Sequence, residues 1–204
     1  MDKRGFRRLG TYVSSTLTDF EYAEPLLYRR PVEHVLCRVH FEQTHARHTV
    51  AVTMSVQPLY VPRMHEELSF AQPLGGPWTV EDGSDAAAKK LATAIRRKGL
   101  PFFTEVGTPA GFLKTYGLTR KTPAGRQVIE ESAYALVLLG RPARARDALR
   151  RLVTERRDDP SACHVVARAE TLLVALARHP REAKETLASW RAYTLRALLP
   201  AEPV

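Results

Sequence analysis

Cysteine is scarce in this chain. Cys37 and Cys163 are the two in 204 residues, and so distant a pair is no disulfide framework; reduced thiols are expected. Lysine is sparing too: it occupies seven positions, so arginine supplies the other 24 of the 31 basic residues. No run of eighteen apolar residues occurs, and "MDKRGFRRLG" carries charge with no apolar stretch behind it. Neither a membrane span nor a secretory signal is therefore expected, and the cytoplasm is the default address. Missing as well are a phosphate-cradling glycine loop, a G-x-S-x-G elbow and a C-x-x-C pair, while "HEEL" at His65 lacks the second histidine of H-E-x-x-H. No cofactor is implied, and the reading leans away from an enzyme.

What the chain does have is positive charge, formally +9. Clustered cations gain affinity for phosphate by releasing counterions, so Arg7, Arg8, Arg29, Arg30 and the arginines of residues 141–157 are candidates for nucleic-acid contact. Acids are interspersed, however, in "RARDALRRLVTERRDD", and a mixed solvated helix face explains such a run equally well.

The pattern of apolar residues changes near residue 80. Before it the chain reads as strands. In "HVLCRVHF" Val35, Cys37, Val39 and Phe41 alternate with Leu36, Arg38, His40 and Glu42; in "TVAVTMSV" the apolar set is Val50, Val52, Met54 and Val56. The short polar link "EQTHARH" makes residues 34–56 an antiparallel hairpin. If both apolar rows share one core, paired positions join odd with even and add to about 91, which puts Arg38 near Thr53 and His40 near Ala51 on a more polar, solvated face. "GTYVSSTLTDFEY" and "PLLYRR" are rich in β-branched and aromatic residues and are expected to add two or three strands.

From Ser84 onward helices are expected. Ala88, Leu91, Ala92 and Ile95 form a stripe over residues 85–98, with Ser84 or Asp85 as cap and Gly99 as stop. An extended piece around Phe102 and Phe103 follows, then a helix over 109–116. Beyond it the chain repeats itself. Aligning Thr122-Pro123 with Asp159-Pro160 superposes Leu136 on Leu173, and one inserted residue then brings Pro142 over Pro180, Ala145 over Ala183 and Leu149 over Leu187. Each unit reads as cap, proline, helix, break, proline, helix, so the last four helices form two hairpins.

The pattern "ALVLLGRPARARDAL" followed by "DDP", with Gly140 at the turn and Pro160 opening the next unit, resembles a tetratricopeptide-type helical hairpin over residues 122–199. That resemblance implies a protein-binding surface. "GFRRLG" at Gly5, "YRR" at Tyr28 and "GLPFF" after a helix resemble a family of uncharacterised bacterial α+β proteins over residues 5–118, which brings no catalytic residues with it. The expected fold is thus α+β: a 1–118 domain with an antiparallel sheet, and a 119–204 helical-hairpin region packed on it as one cooperative unit. Two repeats are too few to bury a core alone, and "AYALVLLG" and "TLLVALA" are apolar nearly all round, so both need cover.

Chemistry-bearing candidates are few. Among His34, His40, His45 and His48, the loop pair His45 and His48 alone has chelating spacing, and exposed loop histidines are the simpler reading; no metal is expected. Arg38, His40 and Thr53 on the polar sheet face, with Arg144 and Arg151 on the helices, are the candidate partner-binding residues. The leading expectation is a non-catalytic protein that binds another protein, in a regulatory or toxin-neutralising role. A nucleic-acid binder is the alternative, and a small-molecule enzyme using the polar sheet face is third.

Overall fold

The computed structural model describes residues 3–24, 26–46, 49–65, 67–68, 70–76, 78–79, 85–117 and 126–199. The chain is α+β and forms two compact units: Met1–Gln57 with Glu66–Gly107, and Pro58–His65 with Thr108–Val204. The helix expected over 109–116 belongs with the C-terminal helices, so the change of unit falls at 107/108, earlier than the expected 118/119, and an eight-residue piece of the N-terminal half belongs with the second unit.

The first unit holds α1 (Lys3–Thr16), β1 (Phe20–Ala23), β2 (Leu26–Arg29), β3 (Val35–Gln43), β4 (Thr49–Pro58), β5 (Ala71–Pro73), β6 (Trp78–Thr79), α2 (Asp85–Ala94) and α3 (Leu100–Val106). The sheet runs β1-β2-β3-β4-β5, with β6 also paired to β4. Both apolar rows of the β3–β4 hairpin are buried, as the alternation requires. The register is two residues further along than expected: the Thr44 amide donates to the Thr49 carbonyl at 3.1 Å, and Arg38 Nε donates to Ser55 Oγ at 2.9 Å, so Arg38 faces Ser55 and not Thr53. Parity is kept, and every side chain stays on its expected face. Helices cover the Cys37–Met54 row. Phe20 and Phe103 pack with ring centroids 6.1 Å apart, and Met54 Sδ stands 3.3 Å from where a Cβ on Gly99 would lie.

Two expectations in this unit are corrected. "GTYVSSTLTDFEY" does not begin as a strand; its first half completes α1, and strand begins at Phe20. Leu9, Val13 and Leu17 recur every four residues and are all buried, a helical stripe that outweighs the β-branched composition. Ser14, Ser15 and Thr16 satisfy their hydroxyls on the carbonyls of Thr11 and Tyr12 one turn back. Gly10 lets the helix approach β1, since a Cβ there would land on the Tyr22 ring. Nor does Gly99 stop α2. A π-helical turn, Ile95–Gly99, carries the axis straight into α3, so Phe102 and Phe103 are helical, not extended. Pro101 has no N–H to give the preceding turn, and the wider turn absorbs this, with the Leu100 amide bonded to the Ile95 carbonyl. The expected cap Ser84 lies outside the described residues.

In the second unit α4 (Pro109–Tyr116), α5 (Arg126–Leu138), α6 (Pro142–Arg156), α7 (Cys163–Arg178) and α8 (Pro180–Leu198) follow one another, each of the last four packing on the next. The two hairpins form at the expected prolines: Pro142 and Pro180 open α6 and α8, and Pro160 opens a short 3-10 turn capped by Asp159, whose carboxylate accepts from the Ser161 amide at 3.0 Å. Thr122 and Pro123 lie outside the described residues. α8 also returns to α5, where Trp190 and Tyr134 pack at 5.5 Å. With α4, α6 and α8 around it, α5 is buried continuously from Ile129 to Val137, the cover its apolar circumference demands. The corresponding expectation for α7 is corrected: Val174 is 54% exposed, so that helix keeps one open side.

Candidate functional site

Charges in this protein occupy two different environments. The first is interior. Arg38 is 0% exposed, which corrects its assignment to a solvated, partner-binding face. Its guanidinium donates to Ser55 Oγ and, at short range, to the Glu67 carbonyl; the Glu67 amide donates to Gln57 Oε1 at 3.2 Å and the Val56 amide to the Phe70 carbonyl at 3.1 Å. Glu67 and Phe70 are thereby tied to β4. His40, half-buried, lies 3.2 Å by Nε2 from the same Ser55 hydroxyl. Burial, reinforced by the Arg38 charge, lowers its pKa to about 4, so the ring is neutral near pH 7. Thr53 is part-buried beside them. His48 lies outside the described residues, and no metal-holding group of three or more ligands occurs among those described.

A second interior cluster, absent from the sequence reading, centres on Glu130 and Glu131 of α5, exposed by 1% and 2%. Glu130 Oε1 accepts from Tyr134 O–H at 2.9 Å and from Arg168 Nε at 2.8 Å, while Arg63 Nη2 lies 3.9 Å from a carboxylate oxygen of each glutamate. Burial alone would lower the Arg168 pKa; the Glu130 hydrogen bond and charge more than offset this and raise it. Thr194 of α8 accepts from the Arg63 amide and donates to the Val61 carbonyl, fixing the segment Pro58–His65. A pair of acidic residues, "EE", at the start of the apolar run "AYALVLL" is the signal that points here, but spacing alone does not say which arginines reach it.

The second environment is open. A groove of about 580 Å³ lies among α4, the end of α5 and the first half of α6, within the volume range of ligand-binding clefts. Local structure places its walls. Thr108 caps α4, its hydroxyl accepting from the Gly111 amide at 3.0 Å, and Pro109 fixes the first turn, which positions Leu113 and Lys114. Gly140, at φ 68°, ends α5 in the left-handed conformation, with the Arg141 amide bonded back to the Leu136 carbonyl at 2.9 Å. Arg141 thus stands at the corner, and Pro142 starts α6 immediately.

The floor is apolar, formed by Ala110, Leu113, Leu136, Leu139 and Ala148. The rim carries Lys114, Arg141, Arg144 and Arg151, with Asp147 the acid among the lining residues. The structure thus brings the predicted Arg144 and Arg151 into one groove together with Arg141, and adds Lys114, which nothing in the sequence connects to them. The side chains of Lys114, Arg141 and Arg144 make no hydrogen bond or ion pair among the described residues, and Arg151 has one exposed partner, Glu155 on the same helix at 2.6 Å. Such an exposed i,i+4 pair is worth about 0.3–0.5 kcal/mol and yields readily to a better partner. Among the described residues no helix is long and apolar enough to cross a membrane. No family model, curated protein or solved structure matches the chain.

Proposed function

We propose that this protein acts without catalysis, by binding another protein in the groove between α4, α5 and α6. The observation that carries the reading is the pairing of a row of uncommitted cations with an apolar floor. An apolar floor gains from burial by about 25 cal/mol per Å², and the cations at its rim, of which Arg151 alone has an ion pair among the described residues, select what buries it. No histidine, cysteine, serine or threonine is among the residues that line the groove, and its carboxylate, Asp147, stands within the cation row, which supports recognition over chemistry. Binding of this kind suits a regulatory or toxin-neutralising role. Nucleic-acid binding is the second reading, favoured by the net charge of +9 and by Arg144 and Arg151 along one side of α6, with Arg141 just before it.

A photo-reactive residue introduced at Ala110, which is exposed and lines the groove, tests the reading in cells of the native host. A discrete adduct that survives nuclease and disappears in Arg144→Glu/Arg151→Glu is expected. A nuclease-sensitive adduct transfers support to the nucleic-acid reading. An adduct pattern unchanged by the double substitution overturns the groove as the binding site.

A further inference from the structure

We infer that the occupant of this groove is an acidic amphipathic peptide segment, about ten residues of which lie along α6 with apolar side chains on the floor and carboxylates against the cations. The inference rests on the reading of the groove as a protein-binding site and specifies its partner.

Four features of the groove lead to it. The first is length. Arg141 immediately precedes α6, and Arg144 and Arg151 lie within it, so the three are spread over a row on the order of 15 Å at 1.5 Å per residue. A single phosphate or carboxylate reaches one of these side chains or two neighbours, whereas a peptide presents anions at several points along such a row. The second is spacing. With Ala148 of the floor between them, Arg144 and Arg151 recur at the i, i+3/i+4, i+7 interval of one helix face, so a partner helix with acids at the same interval meets them in register. Lys114, on α4, lines the same groove and adds a cation from a second helix.

The third feature is the floor. Leu113 of α4, Leu136 of α5 and Leu139 of the turn after α5 all line the groove. A sugar-phosphate backbone has no aliphatic side chains to place there, but a leucine or phenylalanine of a peptide does, and fully burying one contributes about 1.5–3 kcal/mol. The fourth is Asp147, which sits within the cation row. It repels a continuous run of phosphates, while a peptide that alternates carboxylates with neutral residues places a neutral residue beside it. Charge and floor together therefore favour a peptide over nucleic acid.

The test uses the full chain and four fluorescent probes: an 18-residue glutamate/leucine amphipathic peptide, its glutamine/leucine counterpart, a glutamate/serine counterpart with no large apolar residue, and an 18-base-pair duplex. Fluorescence anisotropy at about 0.1 M salt is expected to show binding of the first probe at least tenfold tighter than any other. Arg144→Glu/Arg151→Glu is expected to remove that binding, and Leu139→Ser to weaken it about tenfold. Equal binding of the glutamine/leucine peptide overturns the role of the cations. Equal binding of the glutamate/serine peptide overturns the role of the floor, and tighter binding of the duplex overturns the peptide assignment. If no probe binds while the cross-linked adduct at Ala110 still depends on Arg144 and Arg151, the partner chemistry is wrong and the groove reading stands. If that adduct is indifferent to them as well, both fall.

Discussion

Arg38 and Arg144 are both arginines in a stretch of mixed polarity, yet the molecule uses them in opposite ways. Arg38 is enclosed, with its guanidinium hydrogen-bonded to Ser55 and the Glu67 carbonyl. Arg144 stands at the rim of an open groove with no ion pair among the described residues. A buried cation is tolerated when its donors are satisfied internally, so its geometry holds the fold; an exposed cation beside apolar surface leaves its donors available to a partner. The Glu130 cluster belongs with Arg38 in this respect, since its carboxylate is already engaged by Tyr134 and Arg168.

The contrast is broken most directly at Arg38. Arg38→Ala removes a buried stem and takes the guanidinium donor away from the Ser55 hydroxyl and the Glu67 carbonyl, and is expected to cost about 3 kcal/mol in urea unfolding. A loss below about 1 kcal/mol would mean that the interior guanidinium contributes little. A smaller effect is expected from pH. The folded pKa of His40 is about 4 against a usual 6.5, so the native state binds this proton less readily than the unfolded chain between those values. Stability is therefore fully present above pH 6.5 and falls as pH drops toward 4, by about 2 kcal/mol at pH 4.5 from this group. Comparing unfolding at pH 7 and 4.5 in the native protein and in His40→Gln isolates it; an identical acid loss in both would assign the effect to other groups. The smallest effect is expected at the groove, where Arg144→Glu/Arg151→Glu should change stability by no more than about 0.5 kcal/mol while abolishing binding. A large destabilisation there would place these arginines with Arg38.

How far the amino-acid pattern foretold these features depends on whether a feature is local. The β3–β4 hairpin was legible because alternation is a property of neighbouring residues, and the turns at Pro142, Pro160 and Pro180 because proline and its preceding cap are local as well. The two-residue shift in register was not, since it depends on how the link closes between Thr44 and Thr49. In α1 the composition of "TYVSST" favoured strand, and the buried Leu9–Val13–Leu17 stripe was the better signal. For the site, Arg144 and Arg151 share a helix face by spacing alone, so they could be nominated together. Lys114 joins them through tertiary packing of α4 on α5, which no spacing reveals. Parity assigned Arg38 to a face but was silent on what lies over that face, and Glu67 supplies it.

The eight residues Pro58–His65 belong to the second unit although the chain on either side of them belongs to the first. Trimming the polypeptide at one point therefore cannot deliver either body whole. A truncated chain starting at Thr108 would forfeit Arg63, along with the backbone groups at Val61 and Arg63 that Thr194 holds, and would keep two enclosed glutamates with one guanidinium fewer to face them. The helical half is thus assembled from two separate stretches of the polypeptide, and its integrity is a property of the uncut chain.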